Sequence, residues 1–227
     1  MNIILSGYGK MGKEIEKILS ERGHSVIAKV RNSEELLSIS SPASLCIDFS
    51  TPDAFKYNYK IIADNFSSAV VGTTGWNEIE DEVKEYFKSK NKGLVFGSNF
   101  SIGVNICFET AELLSKLTSA DGNFDPYIVE LHHTKKKDAL SGTAKTFASI
   151  LEKNFKRKVE ISSVRAGNIK GIHTIGFESE YDKIILHHEA YSRQGFALGS
   201  VLAAEWLNEK PCIMNFRELL KLKLKGE

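Results

Sequence analysis

The hexapeptide Gly7-Tyr8-Gly9-Lys10-Met11-Gly12 follows the apolar run of residues 3–6 without a gap and leads into the amphipathic stretch of residues 13–22. A G-x-G-x-x-G turn between a strand and a helix suits a place where backbone must approach a pyrophosphate. The helix N-terminus there offers free N–H groups and the positive end of a dipole. Glycines also close ordinary strand-to-helix turns, so the motif alone leaves both readings open. The chain behind it narrows the choice. Short apolar runs at 26–30, 45–49, 69–71 and 93–96 alternate with helix-patterned stretches at 33–37, 52–65 and 79–90. That alternation predicts an α/β fold, a Rossmann-type doubly wound parallel sheet of about five strand-and-helix units.

The second half is patterned differently. A helix is predicted over 104–118, a strand over 127–131 and a helix over 143–153. Three alternating runs follow at 159–164, 171–178 and 183–190, broken by Gly, Ser and Asp. These predict a second, α+β domain with a mixed or antiparallel sheet. Residues 196–207 read as a helix rich in small residues, and 216–224 as an apolar tail that docks on the first domain.

In a dinucleotide fold the end of the second strand usually supplies an Asp or Glu to the adenine ribose hydroxyls. Here that place is held by Arg31. A guanidinium cannot accept a hydroxyl hydrogen bond, but it forms charge-assisted, bidentate bonds to a 2′-phosphate, and Lys10 and Lys29 add positive charge. NADPH is therefore expected over NADH, the alternative being a solvated surface arginine.

The densest chemistry lies in Glu130-Leu131-His132-His133-Thr134-Lys135-Lys136-Lys137-Asp138-Ala139-Leu140-Ser141-Gly142-Thr143-Ala144. Ser141 or Thr143 can cap the following helix, whose free amides would hold a carboxylate. Lysines add charge for a dianion, and a histidine can supply a proton near neutrality. A solvated lysine loop beside two structural histidines is the alternative. A metal is not expected, because His132 and His133 point to opposite faces of a strand and no nearby Cys or well-spaced carboxylate completes a zinc shell.

Composition removes other classes. Lys plus Arg number 30 against 29 for Asp plus Glu, a net charge of +1. No general field draws the chain to nucleic acid or anionic lipid. The three cysteines, Cys46, Cys107 and Cys212, are far apart and match no disulfide or zinc spacing. Met1 leads straight into the first apolar run, and no run reaches the roughly 18 residues of a membrane span. A cytoplasmic enzyme without membrane or nucleic-acid partners is expected.

These motifs resemble the 4-hydroxy-tetrahydrodipicolinate (dihydrodipicolinate) reductase family, whose signature is E-x-H-H-x-x-K-x-D-A-P-S-G-T-A. The chain matches it except at Leu140, which stands in place of Pro. That change is expected to loosen the turn without removing a chemical group. The likeness extends to Ile47-Asp48-Phe49-Ser50, Val71-Gly72-Thr73-Thr74-Gly75, Asn99-Phe100-Ser101-Ile102-Gly103-Val104-Asn105, and Ser192-Arg193 followed by Phe196-Ala197. The glycine loop is one residue shorter than the commoner G-x-x-G-R-M-G form, with Lys10 in place of Arg. The resemblance implies a dinucleotide-binding domain of residues 1–101 and 193–227, a substrate-binding and oligomerisation domain of residues 102–192, and a homotetramer built through the inserted sheets. It implies that Gly72, Thr73, Thr74, Gly97, Ser98, Asn99 and Phe100 line the nicotinamide and its ribose. His132 would be the acid/base residue and Lys136 a proton donor, with His133, Ser141, Gly142 and Thr143 holding substrate carboxylates; Lys135 and Lys137 are unmatched. The implied reaction, a step of diaminopimelate and lysine synthesis, sends hydride from NADPH or NADH to a cyclic imine dicarboxylate, with domain closure excluding water. Two rivals are a dehydrogenase of amino or keto acids, which has no need of the His-His-x-x-Lys and Ser-Gly-Thr cluster, and a nucleotide-sensing regulator, for which no nucleic-acid-binding module is visible.

Overall fold

The computed structural model describes residues 1–136 and 140–226. The chain begins β1 (Asn2–Ser6), α1 (Lys10–Glu21), β2 (Ser25–Val30), α2 (Ser33–Leu37), β3 (Leu45–Asp48), α3 (Pro52–Asn65), β4 (Ser68–Val71), α4 (Glu80–Ser89) and β5 (Gly93–Phe96). It continues α5 (Ile102–Asp121), β6 (Asp125–His132), α6 (Gly142–Phe155), β7 (Glu160–Arg165), β8 (Ile172–Glu178) and β9 (Lys183–Glu189). It ends α7 (Gln194–Glu209), β10 (Ile213–Asn215) and α8 (Phe216–Leu224). Two compact units result, Met1–Ile102 with Arg193–Glu227, and Gly103–Ser192.

The first unit is a six-stranded parallel sheet in the order β10-β5-β4-β3-β1-β2. Its inner strands are buried on both faces, which is why β3, β4 and β5 read as continuous apolar runs. Successive residues of β1 face opposite layers. Ile3 and Leu5 pack with Ile15 and Leu19 of α1 and with α7 and α8, while Ile4 packs with Phe55 and Ile62 of α3. Each such fully buried side chain contributes on the order of 2 kcal/mol of transfer free energy. Helix starts follow their local chemistry. Thr51 caps α3 through its hydroxyl to the Ala54 N–H, with Pro52 in the first turn, and Asn215 caps α8. The sixth strand, β10, was not anticipated: its three residues carry too little pattern to announce a strand.

The second unit is a four-stranded mixed sheet in the order β7-β6-β8-β9, with β6 parallel to β7 and antiparallel to β8. One face carries Ile128, Ile175 and Phe177, which pack on Val104, Phe108 and Ala111 of α5 and on Phe147 and Leu151 of α6. Cross-strand register puts Tyr127, Val129, Leu131, Val164 and Ile185 on the opposite face. Val164 is 42% exposed and Ile185 57%. Gly176 lies under the Tyr127 ring, where a Cβ would stand 2.2 Å from a ring carbon.

Leu140 has φ +66°, a left-handed conformation that the fixed ring of a proline cannot adopt. The turn ahead of α6 is thus a different turn from one led by proline, rather than a loosened copy of it. Lys137, Asp138 and Ala139 lie outside the described residues.

Candidate active site

The loops after β1, β3, β4 and β5 all leave the carboxyl edge of the parallel sheet. The strand order turns back between β1 and β3, and at such a switch point two loops diverge and leave a crevice. A cleft of ≈ 390 Å³ is found there, lined by Gly9, Lys10, Met11, Phe49, Ser50, Pro52, Gly72, Thr73 and Thr74. A second, of ≈ 120 Å³, shares Thr73 and Thr74 and adds Trp76, Gly97 and Ser98. Gly9 caps α1 with no side-chain hydrogen bond to its first amides, and nothing stands within 4 Å of where its Cβ would be. Bare amides and an open approach fit a pyrophosphate. Gly7 is glycine for a different reason. Its φ is +83°, and a Cβ would lie 2.3 Å from the Phe49 carbonyl oxygen. Phe100 is buried in the core against Phe49 and Phe216, so only its backbone can serve a ligand. Asn99 accepts the Ser101 N–H at 2.8 Å.

Beneath the larger cleft lies Asp48, fully buried. Its carboxylate accepts Ser6 Oγ and Thr73 Oγ1, each at 2.5 Å, and Ser50 Oγ at 2.9 Å. Burial pushes its pKa above the usual carboxylate range, and these hydrogen bonds offset only part of that. One side chain thereby ties together the ends of β1, β3 and β4. The Trp76 indole fixes the next turn by donating to the Thr73 carbonyl at 2.6 Å.

Arg31 follows the end of β2 and is exposed, its backbone N–H donating to Glu35 at 2.8 Å. Asn32 caps α2 by accepting the Glu35 N–H, and the Glu35 carboxylate in turn accepts the Arg31 N–H and Asn32 Nδ2. Lys29 differs from the charge reading made above. Its ammonium pairs with Glu16 at 2.6 Å and lies over the Tyr8 ring, whose hydroxyl also donates to Glu16. Its charge is paired with Glu16 at the surface; Lys10 lines the cleft.

The second unit gathers its chemistry on the helix-facing side of the sheet. His132 pairs in register with Arg165 and Glu130 with Ser163 across β6 and β7, while Glu130 pairs with His173 and His173 with His188 across β8 and β9. Ser141 caps α6, its Oγ accepting the Ala144 N–H at 3.1 Å, so Gly142 and Thr143 open the helix there. Glu130 is completely buried and holds this group together. It accepts the Ser141 N–H at 3.1 Å, Ser163 Oγ at 2.8 Å and the Arg165 guanidinium at 3.0 Å. Burial alone would raise its pKa, but the hydrogen bonds from Ser141, Ser163 and Arg165 outweigh burial and bring it down to about 2. His132 Nδ1 stands 3.6 Å and His173 Nε2 3.7 Å from the same carboxylate. His173 also shares a hydrogen bond with Ser141 Oγ at 3.1 Å. Burial, then the neighbouring His132, lowers its pKa to about 4, so it is neutral at pH 7. His133 and Lys136 are partly buried, whereas Lys135 is exposed.

Ser163, Arg165, His173 and His188 escaped sequence reasoning because only strand register brings them beside His132. Their signal was the period-two alternation of β7, β8 and β9, uninformative until the strands were paired. A carboxylate close to His132 was also missed, although Glu130 is two residues away on the same face. Two imidazoles and a carboxylate within 4.8 Å resemble a cation site. Here the carboxylate is already engaged by an N–H, a hydroxyl and a guanidinium, and a metal ion would lie against that fixed positive charge.

A parallel sheet with a ligand cleft at its switch point, joined in one chain to a His, Lys and helix N-cap cluster, defines a Rossmann-type oxidoreductase. The chain belongs to the dihydrodipicolinate reductase family. Residues 1–100 match the model described as dihydrodipicolinate reductase, N-terminus, and residues 103–220 that described as dihydrodipicolinate reductase, C-terminus. It is 38% identical to the 4-hydroxy-tetrahydrodipicolinate reductase of Christiangramia forsetii, over 97% of this chain and 98% of that one. It is 40% identical to the enzyme of that name from Thermosipho africanus, over 94% of each. The fold matches the dipicolinate-bound dihydrodipicolinate reductase of Paenisporosarcina sp. TG-14 with a TM-score of 0.74, at 23% identity, over 95% of this chain and 97% of that one.

Proposed function

We propose that this chain reduces 4-hydroxy-tetrahydrodipicolinate to tetrahydrodipicolinate with NAD(P)H, in diaminopimelate and lysine synthesis. The observation that supports the reading is the placing of His132 on β6, Lys136 in the loop after it and the Ser141-capped start of α6 in one unit, in a chain whose other unit has a cleft at a bare helix start. A bound nicotinamide supplies the hydride. The chain's own residues do the rest. Gly7, Tyr8, Gly9, Lys10, Met11 and Gly12 hold the pyrophosphate through the amides of α1. Gly72, Thr73, Thr74, Gly97, Ser98, Asn99 and the Phe100 backbone line the nicotinamide ribose. His133, Ser141, Gly142 and Thr143 bind the substrate carboxylates, helped by the N-terminal dipole of α6. His132 and Lys136 deliver the proton that accompanies hydride. Arg31, exposed and able to pair with a 2′-phosphate, favours NADPH over NADH.

A homotetramer assembled through the second unit is part of the proposal, supported by the apolar side chains on the helix-free face of its sheet. Among the described residues no helix is long and apolar enough to cross a membrane. A cytoplasmic location accords with the three unpaired cysteines.

The test is nicotinamide oxidation followed by absorbance, with substrate generated in place by a dihydrodipicolinate synthase from pyruvate and aspartate semialdehyde. Oxidation that depends on the synthase is the expected result; none, with folded protein and either cofactor, overturns the substrate assignment. His132→Gln should cut turnover about 100-fold or more while NADPH affinity holds, since it removes a proton donor and no cofactor contact.

A further inference from the structure

In the second unit, Glu130 lies against several groups of the proposed machinery. Its Oε1 is committed to Ser163 Oγ and Arg165. Its Oε2 faces His132 Nδ1 at 3.6 Å and His173 Nε2 at 3.7 Å, and both oxygens accept the N–H of Ser141, the cap of α6. The far edge of the His132 ring lies against Gly171, whose φ is +155°; a Cβ there would stand 3.2 Å from Nε2. The imidazole therefore has Nδ1 towards a buried anion and Nε2 beside the Gly171 backbone.

We propose that Glu130 is the positioning residue of this site: its buried carboxylate orients the His132 imidazole, sustains its protonated form, and ties it to the helix cap proposed to receive the substrate carboxylate. This rests on the reading of His132 as the acid. The physical case is electrostatic. A carboxylate 3.6 Å from an imidazole, shielded from water, favours the imidazolium. Arg165 on β7 opposes the effect but is itself bonded to the distal oxygen; His173 on β8 is neutral; His188 on β9 is held down by burial; Lys136 follows on the connecting loop. Glu130 is the only anion among these described groups. Its commitment to three donors keeps it ionised at any pH at which the enzyme works. The arrangement has the logic of a histidine with one nitrogen facing a carboxylate, whose charge favours the protonated ring.

The experiment is a histidine ring titration by NMR on the full chain, with the His132 signal assigned by its loss in His132→Gln, alongside pH profiles of kcat/KM. In Glu130→Gln the His132 midpoint should fall by about one unit or more. The alkaline limb of kcat/KM should move acidward by the same amount, lowering activity about tenfold beyond it. Arg165→Gln should move the midpoint the opposite way, since it removes the competing cation. A midpoint unchanged in both variants, with native amide spectra, overturns the inference, whatever happens to melting temperature. If Glu130→Gln does not fold, the Arg165→Gln shift decides alone: upward supports the inference, unchanged refutes it. A merely structural role would change stability and leave the titration and the limb in place. Should His132→Gln keep full turnover while the midpoint shifts as stated, the acid assignment falls and the Glu130–His132 coupling stands.

Discussion

Gly7 and Gly9, two residues apart in one motif, are glycines for unrelated reasons, and substitution separates them. Gly7→Ala puts a Cβ into the Phe49 carbonyl at φ +83°, costing about 2 kcal/mol or more and lowering the melting temperature. Gly9→Ala meets no protein atom within 4 Å, so the melting temperature should hold while NADPH dissociation constants rise about tenfold or more. Equal losses of stability in the two variants would contradict this division. At Arg31, replacement by Ala should raise KM for NADPH about tenfold with little change for NADH, because only the 2′-phosphate needs the guanidinium. If steady-state kinetics show both cofactors affected alike, Arg31 does not read the phosphate. These residues were legible because each acts through its own backbone or its place just past a strand. Asp48 and Lys29 were not. The carboxylate stands out only once three strand ends converge on it, and the lysine's charge is cancelled by a glutamate 13 residues upstream.

Among the elements, the junction of β6 with α6 concentrates groups that prefer the folded state at neutral pH. Glu130 has a pKa of about 2 against an ordinary 4.5, so the unfolded chain binds a proton more readily. Its contribution, on the order of 3 kcal/mol, is present above pH 4.5 and is lost as pH falls towards 2. His173, at about 4 against 6.5, acts in the same direction in a higher window: its contribution is lost as pH falls from 6.5 to 4. Urea midpoints should therefore decline on acidification from pH 6.5, and His173→Gln should flatten the decline between 6.5 and 4. A flat wild-type profile there would mean that the imidazole titrates as it does in water. Element boundaries were read closely where periodicity is long, as in α5 and α7. The turn at Leu140 could not be read, since nothing in the residue itself announces φ +66°.

At the scale of the whole chain, the two units answer different requirements. The parallel unit covers both faces of its sheet with its own helices, whereas the mixed sheet has helices of its unit on one face only. Replacing Ile185, 57% exposed on the other face, with Asp should shift the sedimentation coefficient from that of the proposed tetramer to a smaller species. An unchanged coefficient would remove that face from the assembly. The sequence alone determined the α/β class, the glycine loop behind the first strand, the presence of a second sheet and the His, Lys and Ser-Gly-Thr cluster, because period, turn chemistry and neighbouring residues are local properties. Tertiary structure alone decided the strand order that turns back between β1 and β3, the added strand β10, and the company of Glu130 with Ser163, Arg165 and His173. Those depend on which strands pair and in what register, and pairing is settled by the burial of whole faces rather than by any one segment.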